Sequence, residues 1–290
     1  MHIDLSSVRL ACQGPAAVLL AVLLGHLAAG PLAAVPERPS EEELRLVETR
    51  GRRIASYHEA VARTRAKYEK HMPDLDESVR WVVVDRGGSW RVILMRPVSG
   101  QAEPKAWQML AEVGFNYKAG EVTTFERYMP PRQAPADALA LQRAIDAAAS
   151  VIGLYVPDSR APFEVSAFKE ADKTCSVYLQ ATPESGVQRF GSDLFSTVSG
   201  DGMKVTKSTP LHVGTPAMPV AASAAGEPTL HSHVEGDLPA ETDVAMVIEH
   251  PKLAPHLVLT PRYMFRIDQA GAITYLGPNQ VPPAAPGGTN

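Results

Sequence analysis

Thr229-Leu-His-Ser-His-Val-Glu-Gly-Asp-Leu-Pro-Ala-Glu-Thr-Asp-Val244 is the stretch on which the fold and chemistry of this chain are read. Thr229 to Val234 predicts a strand. Side chains alternate across a strand, so His231 and His233 project from one face. Two neighbouring imidazoles are a natural half-site for Zn²⁺. Leu238-Pro239 predicts a turn, and the segment from about Ala240 to Glu249 predicts a short helix with Asp243 near its start. Asp243 can supply a third protein ligand, and Asp237 is the candidate nearer in sequence. An open fourth position would hold a water whose pKa the metal lowers toward neutrality. The plain alternative is a pair of surface or hydrogen-bonded strand histidines. Five of the chain's 9 histidines, His212, His231, His233, His250 and His256, fall in this part of the sequence.

Outward from this stretch, the chain divides at Pro130-Pro131. Upstream, Ser40 and Glu43 form a capping-box pattern. Val47, Ile54, Val61 and Tyr68 recur every seven residues, with Leu44 and Tyr57 on the same side. This stripe predicts a helix from about Glu41 to His71, ended by Pro73. Arg80–Asp85 and Trp90–Met95 flank Arg86-Gly-Gly-Ser89 and predict a hairpin. Trp107–Tyr117 and Glu121–Met129 can add two strands. Residues 36–130 therefore predict a helix packed on a small antiparallel sheet. A second unit, 135–277, opens with a helix whose face carries Leu141, Ile145, Ala148 and Ile152. Strands are expected at Phe163–Phe168 and Cys175–Leu179, and at Leu194–Val198 and Met203–Thr206 around the Ser199–Gly202 turn. Further strands are expected at His256–Leu259, Arg262–Ile267 and Ala272–Leu276. The fold class expected is α+β. Residues 278–290, rich in Pro and Gly, predict a disordered tail.

The N-terminus reads as a targeting segment. A polar start containing Arg9 precedes the apolar run Ala16–Gly25, and small residues follow through Ala34. Residues 1–34 thus predict a secretory signal cut near Ala34 or Ala29, and hence an exported protein, periplasmic or secreted. The alternative is an uncleaved anchor, although the apolar run is shorter than the roughly 20 residues of a membrane-spanning helix. With the signal cleaved, no stable membrane insertion is expected. Cys175 is then the lone cysteine, so no internal disulfide holds the body. It reads as a buried small hydrophobe or as a thiol nucleophile. A formal net charge of -4, with no basic cluster interleaved with aromatics, gives no reason to expect a nucleic-acid partner.

His231-Ser-His233, a short loop and then Asp243 opening a helix resemble the JAB/MPN/JAMM metalloprotease signature. The order of helix, hairpin, strands, H-x-H, helix and strands over about Pro135 to Gly277 is similar to that family as well. The resemblance implies a JAB/MPN-like α+β domain with His231, His233 and Asp243 as zinc ligands. It also implies a glutamate as general base, for which Glu164 and Glu170 are the candidates. Val234 stands where the family has Pro, Ala240 stands where it has Ser, and the loop to Asp243 is one residue shorter. Residues 229–244 also resemble a segment shared by a group of uncharacterised exported bacterial proteins, which implies export and a common fold. Two functional expectations follow. One is a non-enzymatic binding or envelope protein on a JAB-like scaffold that binds Zn²⁺ and a protein or peptide partner. The other is a zinc-dependent peptidase or isopeptidase.

Overall fold

The computed structural model describes residues 38–69, 72, 75–98, 106–155, 163–182, 187–189, 191, 193–212, 217–219 and 228–279. The expected signal segment and all but the start of the expected tail lie outside these residues.

The first helix, α1 (Glu41–Tyr68), begins where the capping box places it. The Ser40 hydroxyl accepts from the Glu43 amide at 3.1 Å, and the Glu43 carboxylate accepts from the Ser40 amide at 2.9 Å. The expected hairpin follows as β1 (Arg80–Asp85) and β2 (Trp90–Pro97). Gly87 and Gly88 turn it at φ 67 and 120, a region open to glycine without steric cost. β3 (Trp107–Asn116) and β4 (Glu121–Gln133) complete an antiparallel sheet in the order β1-β2-β3-β4. Side-chain alternation gives this sheet two apolar faces. Val83, Val92 and Leu94 pack with Ile54 and Tyr57 of α1. Val82, Ile93 and Met95 pack with Leu141 and Ala144 of α2 (Ala136–Val151).

The chain then forms β5 (Phe163–Lys169), β6 (Cys175–Ala181), β7 (Val187–Arg189), β8 (Leu194–Val198), β9 (Val205–Pro210) and β10 (Ala217–Pro219). β5-β6-β8-β9 is a second antiparallel sheet, and β10 pairs with β7. This sheet repeats the alternation of the first. Val177 and Leu179 face the α2 core, while Phe168 and Tyr178 face the α1 core. Residues from either side of Pro130-Pro131 therefore share both cores. Cys175 is a buried free thiol.

The remainder is β11 (Thr229–Ser232), α3 (Glu241–Glu249), β12 (His256–Leu259), β13 (Tyr263–Ile267) and β14 (Ile273–Pro278). These strands form a third sheet in the order β11-β12-β13-β14, with β11 parallel to β12. Val258, Phe265 and Ile267 of the sheet share a core with Val244 and Val247 of α3 and with Leu44 and Val47 of α1. Gly51 brings α1 and α3 into close contact, since a Cβ there would lie 2.5 Å from the Val244 Cβ. Among the described residues, no helix is long and apolar enough to cross a membrane.

The α+β expectation, with its JAB/MPN-like second domain, is thereby corrected. Strands dominate, and residues 135–277 supply two separate four-stranded sheets. The sequence signal failed for a physical reason. Most strands are recognisable alone, though β7 and β10 were not expected, and which strands share a ladder depends on side-chain packing across sequence-distant segments.

Candidate metal centre

β11 presents His231 and His233 from one face, as alternation requires. α3 brings Asp243 to the same point from its first turn. The fourth member, His212, follows the end of β9 and arrives from the second sheet. The ligating atoms of these four side chains lie within 4.8 Å of one another, and the group can hold a metal ion. His231 Nε2 is 2.9 Å from His233 Nε2 and 3.3 Å from His212 Nε2. Asp243 Oδ1 is 3.0 Å from His212 Nε2 and 3.3 Å from His231 Nε2. Asp243 Oδ2 is 3.1 Å from His233 Nε2. A tetrahedral ion at 2.0–2.1 Å from its ligands separates them by about 3.3–3.4 Å, so the four side chains need only small adjustments to take one ion. The side chains of His212, His231 and His233 are 3%, 2% and 3% exposed, and that of Asp243 is 0%.

The surrounding hydrogen bonds fix which nitrogen of His231 and of His212 faces the centre. The Thr229 hydroxyl donates to the Leu253 carbonyl at 2.5 Å, so its oxygen serves as the acceptor for His256 Nδ1–H at 2.6 Å. His256 Nε2 is then the acceptor for His231 Nδ1–H at 2.7 Å. This chain of donors leaves His231 Nε2 carrying a lone pair toward the centre. The register that pairs Thr229 with His256 across β11 and β12 builds the relay. His212 is set in the same way by a carboxylate. Its Nδ1–H donates to Asp193 Oδ1 at 2.6 Å, and the other oxygen of Asp193 accepts from the Thr242 hydroxyl. Asp243 Oδ2 accepts the Ala240 amide at 2.8 Å, which orients the carboxylate. Ring nitrogens backed by a carboxylate or another acceptor are the usual outer shell of a metal site.

The electrostatics follow from this crowding. Burial opposes charge on His212, but Asp193 and Asp243 outweigh it and raise its pKa well above the usual imidazole value. Burial would raise the Asp243 pKa, yet His231, His212 and His233 hold it well below the carboxylate range. Burial, then the neighbouring His231, push His256 down to about 3, so it serves as a neutral relay. Without a cation, protons must balance the carboxylate and the three facing nitrogens. With one, the deprotonated donor set matches what a divalent ion requires.

His231, His233 and Asp243 thus meet as the sequence indicates. His212 was missed as a ligand; its only signal was membership of the histidine-rich window. Asp193 had no sequence signal. Asp237 is elsewhere, paired with Arg262 at 2.6 Å. The two candidate bases make their contacts away from the centre. Glu170 pairs with Arg53 at 3.3 Å, and Glu164 lies 3.9 Å from His58. No family model, curated protein or solved structure matches this chain.

Proposed function

We propose that this chain is an exported, non-enzymatic binding protein whose buried centre holds a structural Zn²⁺. The observation that carries this reading is the position of His212. Catalytic zinc sites use three protein ligands and leave a fourth position for water, whereas structural sites fill all four. Here His212 brings a fourth side-chain donor to the group, its Nε2 3.0 Å from Asp243 and 3.3 Å from His231. The near-complete burial of the four side chains supports the same reading, as does the absence of Glu164 and Glu170 from the contacts of the centre. An all-nitrogen-and-oxygen set of three imidazoles and one carboxylate suits zinc.

The ion would join elements that lie apart along the chain. His212 belongs to the end of the second sheet, His231 and His233 to the third sheet, and Asp243 to α3. With no disulfide among the described residues, one ion bonded to all three would constrain them as a staple does. The expected partner remains a protein or peptide, with the metal supporting the fold that presents the binding surface.

Metal analysis combined with thermal unfolding tests the proposal. Zinc bound with high affinity, a lower unfolding temperature after chelation, and no hydrolysis of peptide or isopeptide substrates are the expected results. Peptide hydrolysis by the zinc-loaded chain, abolished in Asp243→Asn, would overturn it in favour of a peptidase.

A further inference from the structure

α3 carries a second potential ligand at its far end. Glu249 lies six residues beyond Asp243, roughly 9 Å along the helix and about 240° around it, so the two carboxylates serve different faces. His58 of α1 meets Glu249 there, with Nδ1 2.8 Å from Oε1. Glu164 of β5 completes the group, its Oε2 3.9 Å from the same nitrogen. The three ligating atoms lie within 4.8 Å of one another, and three separate elements supply them.

Two features separate this group from an ordinary surface ion pair. The His58 side chain is 13% exposed, and its Nε2 is buried without a hydrogen-bond partner, so the polar reach of this ring is through Nδ1 toward the two carboxylates. The group also lines a surface cleft of about 720 Å³, walled in part by Ala55, Ala62 and Ile248. Glu164, at 44% exposed, faces water, while Glu249, at 22%, is more enclosed. One imidazole and two carboxylates, with a side left open, is the donor count of an exchangeable or ligand-accepting divalent site.

We infer that His58, Glu164 and Glu249 form a second divalent-cation site, open to the cleft and exchangeable, distinct from the closed centre. An ion there would take His58 Nδ1 and one oxygen from each glutamate, and would complete its shell with water or an oxygen donor entering from the cleft. The sites share only α3, so either can be lost while the other remains. The cleft would thus give the chain a reversible inorganic ligand in addition to its structural one.

The test uses the full chain loaded with one equivalent of Zn²⁺ and then titrated with Mn²⁺. Free Mn²⁺ is read by electron paramagnetic resonance and binding heat by calorimetry. A single further equivalent should bind, and Glu249→Gln and Glu164→Gln should each weaken that step about 10-fold or more while the zinc content stays at one. Glu164 is exposed enough that its substitution leaves folding intact, which thermal unfolding verifies, so this variant alone keeps the test decisive if Glu249→Gln does not fold. Absence of the second step, or a second step of equal affinity in wild type and Glu164→Gln, overturns the inference. Failure of the closed centre would instead appear as absence of the first zinc equivalent, or as a first zinc equivalent that Glu164→Gln removes.

Discussion

Replacing Asp193 with Asn tests the outer shell of the proposed metal centre without touching a proposed ligand. Asp193 is 3% exposed and accepts two hydrogen bonds, from His212 Nδ1–H at 2.6 Å and from the Thr242 hydroxyl. Asn keeps the shape but removes the charge and turns one oxygen into an amino group. If its oxygen faces His212, the ring keeps its tautomer, but a charge-assisted bond of about 1.5–3 kcal/mol becomes a neutral one of about 0.5–1.5 kcal/mol. If its amino group faces His212, Nδ1 must become the acceptor, and Nε2 then points a proton at the metal position. Either outcome weakens the fourth ligand. Loss of an outer-shell partner typically costs about 10–100-fold in metal affinity, equivalent to about 1.4–2.8 kcal/mol. Competition for zinc against a chromophoric chelator measures this directly, with circular dichroism checking the fold. An affinity within about twofold of wild type, on an intact fold, would refute the role assigned to Asp193 and the tautomer argument with it.

Other outcomes follow from the same geometry. Chelation should lower the unfolding temperature: a metal at about 1,000 times its Kd adds about 4.1 kcal/mol, or about 8–16 °C for a body of this size, and calorimetry with and without chelator reads the shift. Gly51→Ala should destabilise by about 1–3 kcal/mol despite a better helix propensity, because the new Cβ would meet Val244 Cβ at 2.5 Å and the Glu241 carbonyl at 2.7 Å; denaturant unfolding checks it. Alkali should destabilise the chain from about pH 10 upward, because burial, partly offset by a hydrogen bond from the Val83 backbone, pushes Tyr57 up to about 12. The unfolded tyrosine ionises first, so this contribution is intact below about pH 10 and is lost as pH approaches 12, for roughly 3 kcal/mol. Denaturant unfolding followed from about pH 9 to about pH 12 should therefore show the loss. Cys175, buried and with its thiol pushed up by desolvation, should resist thiol reagents until the chain unfolds, as a chromogenic disulfide reagent would report.

The legible parts of the sequence were those governed by neighbours along the chain. The Ser40–Glu43 capping box, the seven-residue stripe of α1 and the Gly87-Gly88 hairpin all form where expected, because each is set within a few residues. Three of the four residues of the candidate centre were legible for the same reason, since His231, His233 and Asp243 occupy one strand–loop–helix segment. His212 was not, because it is 19 residues from His231 and meets it only through contact between two different sheets. Asp193 and His256 were hidden likewise, their roles being created by tertiary contact and strand register. The JAB-like architecture failed at the same level. The local motif resembled that family, but the partition of strands into separate sheets rests on long-range pairing that no local pattern encodes.

The most direct test of the central claim is zinc K-edge X-ray absorption on the full chain loaded with one equivalent of Zn²⁺. Four nitrogen and oxygen ligands at about 2.0–2.1 Å are expected, with outer-shell scattering from three imidazoles and no sulfur. Replacing His212 with Ala should reduce the imidazole count to two and admit an oxygen in its place. A wild-type spectrum already showing two imidazoles and a bound water, unchanged by that substitution, would contradict the closed centre.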